Sequence, residues 1–141
     1  MSYAKQMLES YRASAIDANV LAAAIDALSD CAQACAADVD ADLGDADVAS
    51  MIKCLRLCLD CADVCTATTR VASRKTAYEE GFARPLLEVC AAICARCGDE
   101  CERHAPMHPH CGVCEQACRR CEQACRDLLA EYSRLATARL T

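Results

Sequence analysis

The chain has 141 residues, enough for one domain with a core of its own. Its net charge of −6 disfavours nucleic acid as a partner, and no uninterrupted apolar run approaches the roughly 18 residues of a membrane span. Fifteen cysteines suggest a disulfide scaffold at first sight, but the count is odd, their spacing is helical rather than loop-rich, and the opening Met-Ser-Tyr-Ala-Lys-Gln lacks the basic start and apolar core of a secretory signal. The expectation is a reduced, cytoplasmic protein.

Residues 3–12 read as a short helix with Ser2 as N-cap and Tyr3, Met7, Leu8 and Tyr11 on its apolar side. It is expected to pack on the main body or on a partner chain. A first long helix is expected from after Asp17 to about Val39, with Ala24, Leu28, Cys31 and Cys35 on its inward stripe. Continuing the stripe gives Asp38 and Asp42, but the run from Asp38 to Asp45 reads as a connection, so both are expected to be solvated helix-end carboxylates. A second long helix is expected from about Asp47 to Ala72, carrying Met51, Cys54, Cys58, Cys61 and Cys65 on one stripe. A connection over residues 73–81 leads to a third helix from about Phe82, with Pro85 in its first turn and Leu87, Cys90, Cys94, Cys97 and Cys101 on its stripe. That helix stops by His104-Ala105-Pro106. A fourth runs from near His110 to about Ala138, with Cys111, Cys114, Cys118, Cys121, Cys125, Leu128, Tyr132 and Leu135 inward.

Three of these helices repeat the spacing Cys-x3-Cys-x2-Cys-x3-Cys. At roughly 100° per residue, offsets of 0, 4, 7 and 11 stay within a narrow arc, so each copy is a ladder of thiols on one helix face. The other face is polar, as Glu115, Gln116, Arg119, Arg120, Glu122, Gln123 and Arg126 show for the last copy. No strand is expected. Short connections make successive long helices antiparallel, which gives an all-α, up-down-up-down four-helix bundle with a short N-terminal helix, a single domain whose bundle spans about 17–138. In that topology the four thiol stripes fall in the same stretch. Leu21, Leu28, Leu87, Leu128 and Tyr132 close the far end; Met51, His104, Met107, His108 and His110 stand at the near end.

Thiolates are soft ligands that select Cu(I), Zn(II) or iron–sulfur clusters. Zinc wants four ligands in a tetrahedron, and a column of such sites would crowd thiolate charge, whereas Cu(I) is content with two or three sulfurs and bridging thiolates. Ferredoxin spacing is absent, and the Cys-x-x-Cys pairs Cys58/Cys61, Cys94/Cys97 and Cys118/Cys121 lack a βαβ context. His104, His108, His110 and Met107 fit a weaker copper site at the mouth, with a solvated loop as the plain alternative; Met51 reads equally as a core methionine. No cysteine is singled out from the others as a nucleophile, and no phosphate loop or triad stands out, so the expectation is no enzyme. Two other readings stay open: a zinc- or cadmium-buffering thiolate protein, and a structural or redox bundle with reversible disulfides.

From about Ala18 to Arg126 the chain resembles the cytosolic type of the bacterial copper storage proteins. The resemblance rests on Cys31-Ala-Gln-Ala-Cys35, Cys54-x3-Cys58-Leu-Asp-Cys61-Ala-x2-Cys65, Cys90-x3-Cys94-x2-Cys97-x3-Cys101-x2-His104 and His108-x-His110-Cys111-x2-Cys114-x3-Cys118-x2-Cys121-x3-Cys125. It implies a four-helix bundle, a homotetramer, storage of many Cu(I) ions inside each bundle, and a part for His and Met at the open end in copper entry or exit; a small cytosolic copper chaperone is a further candidate partner. Ala24, Leu28, Asp38 and Asp42 stand where cytosolic relatives tend to carry further cysteines, so a lower capacity than theirs is expected.

Overall fold

The computed structural model describes residues 1–140. It holds five helices: α1 (Tyr3–Glu9), α2 (Ala18–Leu43), α3 (Ile52–Ala72), α4 (Glu80–His104) and α5 (Pro109–Leu140). A 3-10 turn over Val48–Met51 leads into α3. There is no strand among the described residues. Helices α2 to α5 form a square bundle in which each packs on its two sequence neighbours and α2 closes the ring against α5. The two diagonal pairs, α2 with α4 and α3 with α5, leave the backbones apart among the described residues and meet only through side chains.

The helix boundaries follow local chemistry. Asp17 caps α2, its carboxylate accepting from the Asn19 and Val20 amides at 2.8 and 3.2 Å. The Asp17 amide donates to Glu131 Oε1 at 3.1 Å, which ties the start of α2 to α5. Pro109 opens α5 at its first position, where the missing N–H costs no intrahelical bond. Gly98 lets α4 and α5 approach: the Arg119 guanidinium lies over it, so that a Cβ there would stand 3.0 Å from Nη1. That guanidinium also donates to Asp99 at 2.8 Å and Glu102 at 3.2 Å.

Several boundaries differ from the sequence-based expectation. Helix α2 continues to Leu43, past the expected stop at Val39, and ends at Gly44. Asp38 and Asp42 are therefore helical and inward, not part of a connection. Helix α4 begins at Glu80, which leaves Pro85 as its sixth residue rather than in its first turn. Helix α1 stops at Glu9, and only Leu8 of its expected apolar side is buried; Tyr3 and Met7 are exposed. It packs against α2, and the Lys75 ammonium fastens it by donating to the Leu8 carbonyl at 2.6 Å while lying over the Tyr11 ring.

By length and composition α2 is apolar enough to cross a membrane, with a mean hydropathy of 1.4 over its best 18 residues. The bundle uses that apolarity itself, since Leu21, Ala24, Leu28, Cys31 and Cys35 all face the interior. At the far end Leu21 and Leu28 share the interior with Thr68, Leu87, Leu128 and Tyr132, all buried, and Tyr132 stacks on Tyr78. Thr68 satisfies its hydroxyl by donating to the Val64 carbonyl at 2.7 Å. Each leucine buried there stabilises the fold by about 1.5–3 kcal/mol relative to exposure. This hydrocarbon closes one end of the interior.

Candidate metal centre

All fifteen cysteines are buried and carry free thiols. Because their spacing keeps each ladder on one face, and because the helices alternate in direction, the four stripes meet along the bundle axis. The sulfurs fall into overlapping groups in which the donor atoms all lie within 4.8 Å of one another. Starting from the closed end, five of the groups are Cys90, Cys121, Cys125; then Cys31, Cys65, Cys94, Cys121; then Cys31, Cys35, Cys61, Cys118; then Cys35, Cys58, Cys97, Cys114; then Asp38, Cys54, Cys58, Cys101. Cys121, Cys31, Cys35 and Cys58 each belong to two groups, so the column has no gap between layers.

Direct contacts show how close the packing is. Cys58 Sγ is 3.6 Å from Cys97 Sγ and 3.8 Å from Cys101 Sγ. Cys35 Sγ lies 3.6 Å from Cys114 Sγ and 3.9 Å from Cys118 Sγ. Cys61 Sγ is 3.8 Å from both Cys31 Sγ and Cys94 Sγ. Cys65 Sγ reaches Cys94 Sγ at 3.7 Å and Cys90 Sγ at 3.8 Å. These separations suit two sulfurs that share one metal ion.

The open end is built differently. Its three histidines gather, with ring centres 6.3 Å apart for His104 and His108 and 5.6 Å apart for His108 and His110. Each meets a carboxylate. His104 Nε2 is 3.2 Å from Glu100 Oε1, His108 Nδ1 is 3.1 Å from Asp45 Oδ2, and His110 Nε2 is 2.8 Å from Asp42 Oδ1. His108 is nearly buried, while His104 and His110 are partly exposed. Met51 is fully buried at the start of the α3 stripe, whereas Met107 is 80% exposed.

Sequence reasoning misjudged two residues here. Asp38 and Asp42 were expected in solvent, yet they are 2% and 0% exposed. Asp38 Oδ2 accepts from Cys58 Sγ at 3.2 Å and from Cys54 Sγ at 3.6 Å. Asp42 Oδ1 receives His110 and also lies 3.7 Å from Cys111 Sγ. The signal was their place on the stripe, four residues apart and in phase with Cys31 and Cys35. What hid their burial is that the groups satisfying them come from α3 and α5.

Electrostatics follow from this burial. Loss of water pushes the Asp38 carboxyl up to about 7, against the opposing pull of its hydrogen bond with Cys58. Burial raises Asp42 as well, with His110 opposing. Cys111 is pushed up first by burial and then by the charges of Asp38 and Asp42. Inside the column the sulfurs share hydrogen bonds unequally. Cys31 is pulled down by hydrogen bonds, the one with Cys118 foremost, and Cys97 by those led by Cys101. Cys35 and Cys94 are pushed up, chiefly by Cys114 and Cys121. A buried row of thiolates without a counter-charge is costly, so a cation entering the column displaces protons as it binds.

The comparisons with known proteins point one way. The copper storage protein of Streptomyces lividans, Ccsp, in a structure loaded with 10 copper equivalents, superposes with a TM-score of 0.88 at 50% identity, over 91% of this chain and 98% of that one. A second structure of the cytosolic copper storage protein from Streptomyces lividans, with five coppers, gives a TM-score of 0.78 at 54% identity, over 79% of this chain and 93% of that one. The uncharacterized cysteine-rich protein YhjQ of Bacillus subtilis (strain 168) is 33% identical over 95 residues, 67% of this chain and 82% of its own length. The profile of the copper storage protein family matches residues 17–130. By its column of thiols, its fold and this match, the chain belongs to the copper storage protein family.

Proposed function

We propose that this chain stores several Cu(I) ions at once in the thiol column, as a cytoplasmic protein with no catalytic turnover. The observation that carries the reading is the overlap of the donor groups: successive layers share Cys121, Cys31, Cys35 and Cys58. Cu(I) is soft, accepts two or three sulfurs, and tolerates bridging thiolates. All fifteen cysteines serve as ligands in this reading, and each thiol releases its proton as it binds copper. His104, His108, His110, Met51 and Met107 take part in passing copper between solvent and the column. Asp38 stands beside Cys54, Cys58 and Cys101 at the outer layer, where its carboxylate accepts hydrogen bonds from their thiols. The whole chain acts as one storage domain and assembles as a homotetramer, and a small cytosolic copper chaperone is its donor.

The hydrocarbon at the closed end fits a store that is folded before metal arrives. The test is an anaerobic titration of the reduced protein with Cu(I) against a chromogenic Cu(I) chelator, with Zn(II) run in parallel. Storage predicts that many Cu(I) equivalents are withheld before the chelator colours, while zinc occupies few sites. Saturation after one or two Cu(I) equivalents, with several zinc ions bound, would identify a divalent-metal buffer instead.

A further inference from the structure

Outside the hydrocarbon that plugs the closed end lies a cleft of about 300 Å³ that touches all four bundle helices. Ile16, Leu21, Val71, Ala72 and Phe82 form its apolar walls, and the connection between α3 and α4 runs along its rim. Within that connection Ala77 holds φ at 52°, a left-handed conformation that a side chain disfavours and that gathers where a chain is shaped around a ligand. Tyr132 lines the cleft and is only 3% exposed, yet its hydroxyl has no hydrogen-bond partner among the described residues. Burial pushes that hydroxyl up to about 12, so at neutral pH it keeps its proton and lacks an acceptor. The charge of Glu80 acts on it, but no hydrogen bond joins them, and that carboxylate is paired with Arg84 and Arg139 at 3.6 and 3.8 Å. A buried polar group left unpaired is rare and calls for an explanation. Two cations complete the lining. The Arg74 guanidinium has no carboxylate partner among the described residues, and the Lys75 ammonium meets the Leu8 carbonyl and the Tyr11 ring instead of an acid. Glu79 is the one carboxylate lining the cleft among the described residues, so the cleft carries an excess positive charge in a chain whose net charge is −6.

We propose that this cleft binds a small aromatic carboxylate. Each part of the lining selects one part of the ligand. The excess positive charge selects an anion, and the planar guanidinium of Arg74 matches a carboxylate in particular, since it can donate two parallel N–H bonds to the two oxygens. The apolar walls select a hydrocarbon body, and the exposed Phe82 ring offers it a flat face. The Tyr132 hydroxyl supplies a donor for an acceptor atom of the ligand. Inorganic phosphate would leave the walls in water, and a neutral hydrocarbon would leave the cations and the hydroxyl unanswered. A volume of about 300 Å³ lies at the small end of ligand clefts, which suits one or two fused rings rather than a lipid or a nucleotide. A ligand held here joins the ends of all four helices and touches no cysteine. The cleft stands at the other end of the bundle from the histidines, and none of its residues is a copper donor, so the proposal does not rest on copper storage.

The test uses the full-length, reduced, copper-free protein, isotope-labelled and titrated with 2-naphthoate while its amide resonances are followed by NMR. Saturable shifts are expected at residues 71–83, at the start of α2 and around Tyr132, and not along the thiol column. The neutral amide, 2-naphthamide, should bind about fivefold more weakly or worse, because it loses the attraction of both cations. Arg74→Gln should weaken 2-naphthoate about threefold or more. Tyr132→Phe, which removes only the unpaired hydroxyl, should weaken it by about the same factor. Both variants should keep the wild-type Cu(I) count in the chelator titration. Arg74 is exposed, so its variant reads the proposal even where the change at Tyr132 disturbs the packing. Shifts that do not saturate overturn the proposal, as do equal affinities for the acid and the amide, or an affinity left unchanged by either variant.

Discussion

Two ends of one bundle carry opposite chemistry on the same four helices. At the closed end Leu21, Leu28, Leu87 and Leu128 fill the interior with hydrocarbon, and the buried Thr68 hydroxyl is satisfied within its own helix. At the open end Asp38 and Asp42 of α2 meet His110 and Cys111 of α5, and two carboxylate oxygens are left over. The contrast separates what packs the bundle from what faces its opening. Hydrocarbon burial is non-directional and needs no ion. The polar end is directional, strained in its protonation and open to exchange. The thiol column lies between and takes its rigidity from the first and its access from the second.

The largest effect that tests this division lies at the closed end. Leu28→Ala or Leu128→Ala should cost about 2–5 kcal/mol of stability in the copper-free protein, read from denaturant unfolding. The Cu(I) equivalents bound per folded chain should not change. A variant that loses copper capacity and keeps its stability would break the division. Next comes the middle of the column. Cys61→Ser should lower the Cu(I) count by more than one ion, because that sulfur touches those of Cys31, Cys65 and Cys94. A loss confined to a single ion in the chelator titration would mean that layers do not share ligands.

A third effect concerns protons at the open end. The Asp38 carboxyl sits at about 7 in the folded protein against 3.8 ordinarily. The folded state therefore holds this proton more tightly than the unfolded one. The resulting stability is complete below about pH 4 and is lost as pH rises toward 7, with a slope of up to about 1.4 kcal/mol per pH unit. Asp38→Asn should flatten that part of the profile in anaerobic unfolding of the copper-free protein, and an unchanged slope would place the titration elsewhere. The smallest effect is on the outside. Arg120 and Asp30 pair at 2.6 Å but are 55% and 64% exposed. Asp30→Ala should shift stability by less than about 1 kcal/mol and leave copper capacity alone; a larger change would show the bundle surface to matter as its interior does.

Much of this was legible in the sequence. The triple Cys-x3-Cys-x2-Cys-x3-Cys spacing demands ladders on helix faces, and short connections demand alternating directions, so the meeting of the thiol stripes in one stretch follows from period and topology, while the pairing of Cys58 with Cys97 and of Cys35 with Cys114 depends on a register that only the structure gives. The same argument placed Leu28 and Leu128 at one end and His108 and His110 at the other. It failed at Asp38 and Asp42. Periodicity put them on the inward stripe, but an aspartate near an apparent helix end is ordinarily solvated, and the partners that make its burial tolerable come from 16 to 69 residues away. The face of α1 was misread for a related reason. Its apolar residues have helical spacing, but only Leu8 finds a surface on α2, while Tyr3 and Met7 stay outside. Local pattern fixes which side of a helix is apolar; the neighbours decide how much of it is covered.

The unbroken contact between sulfurs has a consequence for the cargo itself. From Cys54 through Cys101, Cys58, Cys114, Cys35, Cys118, Cys31, Cys61 and Cys65 to Cys90, every successive sulfur is within 4.0 Å of the last. An ion bonded to one of them can take hold of the next before it releases the first. Such a row predicts copper that moves by ligand exchange, as a bead passes from hand to hand, rather than ions parked in addresses. The protein then keeps a tally of ions without keeping their order, and isotopically distinct copper added early and late should leave it mixed.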